Sequence, residues 1–80
     1  MPHFSQVCQI LRTTLGLGRM PLTEDTQLLG SLPELDSMAV ANLILALEQQ
    51  FGIEVRDDEI SARHFATVGS LAGFVESKLA

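Results

Sequence analysis

The sequence predicts an all-α fold, a small four-helix bundle with three main helices, one short third helix and a long first loop. Two observations support this prediction. Apolar residues recur at helical spacing in three segments, and the connection between the first two segments is rich in Gly, Pro, Ser and Thr. With 80 residues and 46% apolar composition, the chain is long enough for one modest core, so residues 1–80 are expected to form a single domain.

The first helix is predicted from Phe4 to about Leu15. Its apolar positions share one face: Phe4, Val7, Cys8, Leu11 and Leu15. Gly16 and Gly18 are expected to end the helix. Cys8 should lie in the core as a small apolar residue, because it belongs to this apolar face. As the single cysteine it cannot form an internal disulfide.

A long connection follows between Leu17 and Leu35, in which Gly, Pro and Thr alternate with spaced apolar residues. A structureless loop of this length in a small domain needs apolar anchors. We expect Leu22, Leu28 and Leu32 to hold the loop over the bundle, with one short helical turn near Asp25–Leu29.

The second helix is predicted to begin at Asp36 and Ser37 and to run to Phe51, where Gly52 ends it. Its core positions follow the spacing i, i+3, i+4, i+7 and i+11: Val40, Leu43, Ile44, Leu47 and Phe51. This stripe predicts which face of the helix is buried.

A second apolar line on the same helix contains Met38, Ala41 and Leu45 and continues to Glu48. One helix of a small bundle cannot bury its whole circumference, so part of this line should be exposed and form an adaptable contact surface. The alternative is that Met38 and Leu45 pack beneath the preceding loop.

The third helix is predicted to be short, from about Asp58 to Arg63, with Ile60 and Phe65 facing inward. It follows an extended exit at residues 52–55 for which no pairing strand is apparent. The last helix is predicted at Val68–Leu79, with Thr67 as its N-cap. Gly69 and Gly73 weaken this helix and are expected to allow close contact with another helix.

The dipeptide Asp36-Ser37 is the candidate functional site. Asp36 is a favourable N-cap, and Ser37 falls in the first turn of a long helix. The unpaired N–H groups and the positive end of the helix dipole favour a phosphate at this position. A hydroxyl there is well placed to bear one covalently, although the dipeptide taken alone is most often only a cap.

The wider pattern resembles the acyl carrier protein family. The segment Leu32-Pro33-Glu34-Leu35-Asp36-Ser37-Met38 matches its Asp-Ser-Leu motif, and Leu47-Glu48-Gln49-Gln50-Phe51 matches the end of its second helix. The family's loop, acidic third-helix start and last-helix entry are matched by Asp25-Thr26-Gln27-Leu28, Asp57-Asp58-Glu59 and Thr67-Val68. The matches occur in the family's order and cover nearly the whole chain.

The resemblance implies a carrier protein rather than an enzyme. A separate phosphopantetheinyl transferase would attach 4′-phosphopantetheine from coenzyme A to Ser37 with the help of Mg²⁺, and the arm would hold an acyl group as a thioester. Asp36 would cap the helix and contribute to transferase recognition. The candidate docking residues for acyl-loading and acyl-transferring enzymes are Met38, Val40, Ala41, Leu45 and Glu48.

Departures from the family pattern suggest a specialised standalone carrier rather than the main carrier of fatty-acid synthesis. Met38 replaces the usual Leu, a change that conserves volume. The segment before Asp36 is about one residue longer than in fatty-acid carriers. The second helix has few acids: where fatty-acid carriers often have Asp or Glu, this chain has Ala39, Asn42, Gln49 and Gln50. Docking is therefore expected to depend more on apolar contact than on charge.

The negative net charge argues against nucleic acids as partners. The formal net charge is -5 and the pI about 4.7, so nucleic acids and anionic membranes are repelled, whereas basic docking patches are attracted. The N-terminus does not resemble a signal peptide, and the longest apolar run is too short to cross a membrane. We expect a cytoplasmic, monomeric protein without membrane insertion.

Other functions fit the residues less well. His64 could serve as a base with Ser37, but the Gly-x-Ser-x-Gly motif of such hydrolases is absent. The acids at Asp57, Asp58 and Glu59 are adjacent and do not converge on a metal, and His3 is expected to be solvated because it has no partner at metal-ligand spacing. Two alternatives stay open: an aminoacyl or peptidyl carrier, and an unmodified helical interaction module.

Overall fold

The computed structural model describes residues 3–28 and 37–80. Helix α1 is Phe4–Leu15, α2 is Ser37–Phe51 and α3 is Val68–Leu79, with a 3-10 helix at Asp57–Glu59 between α2 and α3. The all-α prediction and the three main helices are confirmed. Within the described ranges, the β pairing found is an isolated bridge between Gln27 and Thr67.

Helix α1 packs against both other helices, and a single apolar core fills the space between them. The amphipathic spacing explains this arrangement, because each helix turns its apolar stripe inward. The buried side chains that form this core cluster are those of Val7, Cys8, Leu11, Leu15, Leu28, Leu43, Ile44, Leu47, Phe65, Val68, Leu71, Ala72 and Val75. The prediction that Cys8 is buried is confirmed.

Gly16 ends α1 as predicted. Its φ of 67° is in the left-handed region, where glycine has no steric penalty, and its N–H donates to the carbonyl of Arg12. The following residue, Leu17, also donates its N–H to Arg12 O, at 3.1 Å. These two bonds satisfy the carbonyl of Arg12 and turn the chain into the first loop.

The described part of the first loop is fastened to the start of α3 by backbone hydrogen bonds. Leu28 N–H donates to Ala66 O, Val68 N–H donates to Thr26 O and Gly69 N–H donates to Glu24 O, each at 2.9 Å. A Cβ at Gly69 would lie 2.8 Å from the carbonyl oxygen of Glu24, so the contact requires glycine. The close approach that Gly69 allows is therefore to this loop.

The apolar anchoring of the loop is confirmed for two residues. Leu28 is fully buried, and Leu22 packs against the core. The predicted helical turn near Asp25–Leu29 is only a turn at residues 24–25 in the described part. Leu29 and Leu32 lie outside the described residues.

The third helix is shorter than predicted. Instead of a helix from Asp58 to Arg63, a 3-10 helix at Asp57–Glu59 is followed by tight turns, in which Phe65 N–H donates to Ala62 O. Ile60 was predicted to face inward, which is wrong because its side chain is 38% exposed. Phe65 is buried as predicted.

His3 and Glu76 form a hydrogen-bonded pair that the sequence did not indicate. His3 was expected to be solvated, but its ring Nδ1 lies 2.9 Å from the Glu76 carboxylate, which also accepts the His3 backbone N–H. The ring packs edge-on against Phe51. His3 therefore joins the start of α1 to the ends of α2 and α3.

Candidate functional site

The candidate site is the N-terminal end of α2. The helix begins at Ser37 and runs for 15 residues, and its first turn contains no acidic residue. The dipole of a helix of this length presents a partial positive charge at that end, which favours an anion. The side chain of Ser37 and the whole of Asp36 lie outside the described residues, so the predicted cap at Asp36 stays a prediction.

A stripe of exposed side chains runs along α2 from this end. It consists of Met38, Ala41, Asn42, Leu45 and Gln49, spaced i, i+3, i+4, i+7 and i+11, and is called the exposed stripe below. Met38 is 74% and Leu45 52% exposed, which are large values for apolar side chains. The prediction that part of the second apolar line is exposed is confirmed.

Two of the predicted docking residues have partners within the protein. Val40 is half-buried and packs against the core. Glu48 is half-buried, and its carboxylate accepts a 2.9 Å hydrogen bond from the backbone N–H of Val55. Both residues lie at the edge of the exposed stripe rather than on it.

The ion pairs with the shortest distances lie away from α2. Lys78 Nζ donates to both carboxylate oxygens of Glu59, at 2.8 and 2.9 Å, and these bonds are the main reason that the pKa of Glu59 is lowered. The hydrogen bond from the His3 side chain is the main cause of the lowered pKa of Glu76. Burial raises the pKa of the Cys8 thiol, which disfavours the reactive thiolate.

The hydroxyls of three other described serines are hydrogen-bonded or enclosed within the protein. The hydroxyl of Ser70 belongs to the capping box with Thr67, and that of Ser77 donates to Phe74 O at 2.7 Å. Ser61 Oγ is enclosed without a hydrogen-bond partner. Ser5 also lies at the start of a helix, in the first turn of α1, and its side chain is exposed. This second serine at a helix start was not predicted as a candidate, although the predicted bounds of α1 place it there.

A groove between α1 and α2 was also not predicted. Its volume is about 280 Å³, and it is lined by Gln6, Gln9, Ile10, Thr13, Thr14, Ala46, Gln50 and Phe51. Its nearest residue on α2 is Ala46, which is roughly 14 Å from Ser37 along the helix axis at 1.5 Å per residue. The groove therefore opens at the opposite end of α2 from the candidate site.

The described part of the chain contains neither a cluster of metal ligands nor a membrane-spanning helix. Among residues 3–28 and 37–80, no three His, Cys, Asp or Glu side chains come together as a metal site would require. In the same part of the chain, none of the helices combines the length and the apolar character needed to span a bilayer.

The chain is similar to proteins of one family. A family model described as a phosphopantetheine attachment site matches residues 5–75. The acyl carrier protein of Thermotoga maritima is 32% identical over 76 residues, which cover 95% of this chain and 90% of that protein.

Two solution structures have the same fold. A holo acyl carrier protein from Nitrosomonas europaea superposes with a TM-score of 0.91 at 56% identity, covering 99% of this chain and 98% of that one. A holo acyl carrier protein from Geobacter metallireducens superposes with a TM-score of 0.81 at 29% identity, covering 99% of this chain and 87% of that one.

Proposed function

We propose that this chain, which belongs to the acyl carrier protein family, carries its phosphopantetheine on Ser37. Membership rests on the family model over residues 5–75 and on the curated relative at 32% identity. The protein is accordingly a carrier rather than a catalyst, and its cofactor is a covalently attached 4′-phosphopantetheine. The main observation in support of Ser37 is that Ser37 is the first residue of α2.

The start of α2 suits the cofactor's phosphate. A phosphodiester at Ser37 would bring a negative charge to a helix N-terminus whose first turn holds no acid. Interaction of this charge with the helix dipole contributes about 0.3–1 kcal/mol at an exposed site. The neighbouring Met38 is 74% exposed, so the surface beside the attachment position is open.

Among the other serines in the described part of the chain, only Ser5 is exposed in the first turn of a helix. Two features favour Ser37 over Ser5. Ser37 follows Asp36 in the Asp-Ser motif, and it heads the exposed stripe, which offers an enzyme a place to bind beside the hydroxyl. Ser5 follows Phe4, which packs against the core.

The Ser37 hydroxyl is the only group of this chain that reacts in the attachment step. Its Oγ would form the new phosphodiester bond while the pyrophosphate bond of coenzyme A breaks, releasing adenosine 3′,5′-bisphosphate and the hydroxyl proton. The arm supplies a thiol that holds an acyl group as a thioester. The chain's own residues provide the anchor, the helix end that faces the phosphate and the surface that partner enzymes contact.

The partners of this family are phosphopantetheinyl transferases and acyl-handling enzymes. For this chain we assign the docking contact to Met38, Ala41 and Leu45, which are exposed on the same side of α2. Val40 and Glu48 flank this contact and are occupied by packing and by the bond to Val55. We also propose a cytoplasmic location, because coenzyme A is available there.

The test compares intact masses after incubation with coenzyme A, Mg²⁺ and a broad-specificity phosphopantetheinyl transferase. Wild type and Ser5→Ala are expected to gain one phosphopantetheinyl group, and Ser37→Ala none. Modification of Ser37→Ala, or its loss in a folded Ser5→Ala, would contradict the assignment. Circular dichroism establishes that each variant is folded.

A further inference from the structure

We propose that the enzymes acting at Ser37 bind the exposed stripe of α2 through an apolar, uncharged surface rather than a basic one. The inference rests on the proposed function, since it concerns the partners of the same site. It follows from three observations: the composition of the stripe, the bonding of Glu48 and the location of the remaining charges.

The exposed stripe contains no ionisable side chain. Its members are Met38, Ala41, Asn42, Leu45 and Gln49. From Met38 to Gln49 it extends about 16 Å at 1.5 Å per residue, beginning one residue after Ser37. An enzyme whose active site receives Ser37 would therefore lie over apolar and amide groups along most of α2.

Glu48 is the only charged residue in α2. Its carboxylate is directed to the backbone of the following segment, where it accepts the Val55 N–H at 2.9 Å, and it is half-buried. To pair with a lysine or arginine of a partner, this carboxylate would have to give up or share that bond. The helix thus offers no free carboxylate to a basic docking patch.

The negative charge of the protein lies elsewhere. Ten residues are acidic, and Glu48 alone of these belongs to α2. Glu24, Asp58 and Glu59 lie in the connections, and Glu59 is paired with Lys78. Glu34 and Asp36, which precede α2 in the sequence, lie outside the described residues.

The lack of charge on the exposed stripe favours an apolar partner surface over a basic one. A basic side chain pressed against the stripe would lose its hydration without gaining a carboxylate, which is unfavourable. An apolar surface would instead cover Met38 and Leu45 and gain their burial. The unbranched Met38 side chain can adapt to the surfaces of different enzymes.

The experiment measures kcat/KM of the phosphopantetheinyl transferase for four variants relative to wild type. Leu45→Ala shortens the stripe's central side chain and is expected to lower kcat/KM about tenfold. Leu79→Ala is the matched control, because Leu79 is also an exposed leucine, at 37%, but lies at the end of α3. It should remain within about twofold of wild type.

Two further variants test charge directly. Glu48→Gln keeps an oxygen that can accept the Val55 N–H and removes the charge, so kcat/KM should stay within about twofold of wild type. Asn42→Asp adds a carboxylate to the stripe at nearly constant shape. An apolar enzyme surface lowers kcat/KM for this variant, whereas a basic surface raises it.

Salt dependence completes the test. Between about 0.1 M and about 1 M NaCl the Debye length falls from about 10 Å to about 3 Å. We expect the ratio of kcat/KM for Leu45→Ala to kcat/KM for wild type to be the same at both salt concentrations. A small Leu45→Ala effect, a large loss in Glu48→Gln or a gain in Asn42→Asp would overturn the inference while modification of Ser37 stands. Failure to modify wild type would instead refute the proposed function itself.

Discussion

The Glu48 carboxylate accepts a 2.9 Å hydrogen bond from the backbone N–H of Val55 and so fastens the exit of α2 to the helix itself. Gly52 ends the helix with a φ of 65°, and Val55 then packs against the core. The bond fixes the path between these two points. It also occupies the carboxylate that is the only charged group of α2.

We predict that Glu48→Ala lowers the free energy of unfolding by about 1–2 kcal/mol, because the half-buried Val55 N–H loses its acceptor. Alanine's higher helix propensity offsets part of this loss. Glu48→Gln retains an acceptor oxygen, so its free energy of unfolding should fall clearly less than that of Glu48→Ala. Urea unfolding of both variants measures the difference, and equal stability of Glu48→Ala and wild type would contradict the role assigned to the bond.

We predict opposite effects of alanine at two glycines of α3. Gly69→Ala should destabilise the protein by about 1–3 kcal/mol, because its Cβ would lie 2.8 Å from Glu24 O and displace the loop. Gly73→Ala meets no atom within 4 Å and should stabilise the helix by about 0.5–1 kcal/mol. Thermal unfolding of both variants checks the pair; a stabilising Gly69→Ala would show that the loop does not require the close contact.

We predict an acid-sensitive contribution to stability from Glu59 and Glu76. Both carboxyls have a pKa below the ordinary value near 4.5 in the folded state, chiefly through hydrogen bonds from Lys78 and from His3. The folded state therefore binds fewer protons than the unfolded state in this range. The stabilisation is complete above the ordinary pKa and is lost as the pH falls through the lowered values.

The measurement is the unfolding midpoint as a function of pH. Glu59→Gln and Glu76→Gln should each reduce stability at neutral pH and make the decline below about pH 4.5 shallower than in wild type. Lys78→Met should flatten the decline as Glu59→Gln does, because it removes the partner of the same carboxyl. Parallel pH profiles in all variants would refute this origin of acid sensitivity.

We predict that Cys8 is unreactive in the folded protein. It is the only cysteine of the chain, it is buried, and its burial raises the thiol pKa. With a colorimetric thiol reagent, the unmodified protein should show no rapidly reacting thiol. The modified protein should show one such thiol, which belongs to the phosphopantetheine arm. In denaturant, each form should show one additional reactive thiol, that of Cys8. A rapid thiol in folded Ser37→Ala would contradict the burial of Cys8.

Local patterns predicted the helices well. The bounds of α1 and α3 were predicted as Phe4–Leu15 and Val68–Leu79, since apolar periodicity, terminal glycines and the Thr67 cap are all encoded within a few residues. The surplus of apolar residues on α2 likewise predicted the exposure of Met38 and Leu45. These inferences needed no knowledge of distant contacts.

The features that sequence reasoning missed depend on residues far apart in the chain. The His3–Glu76 pair joins residues 73 apart, and the Glu59–Lys78 pair joins residues 19 apart. The turns that replace the predicted third helix carry no periodic signal, so the exposure of Ile60 was not foreseen. The roles of Asp36 and Ser37 were inferred from motif and helix position, and they stay predictions.

The most direct test of the account is to locate the modification within the chain by fragmentation mass spectrometry of the holo protein. Trypsin should release the peptide 20–56, which contains Ser31 and Ser37 and none of the other serines. We predict that the fragments place one phosphopantetheinyl group on Ser37. A modified peptide containing Ser5 instead, or fragments that place the group on Ser31, would contradict the central claim that the start of α2 is the attachment site.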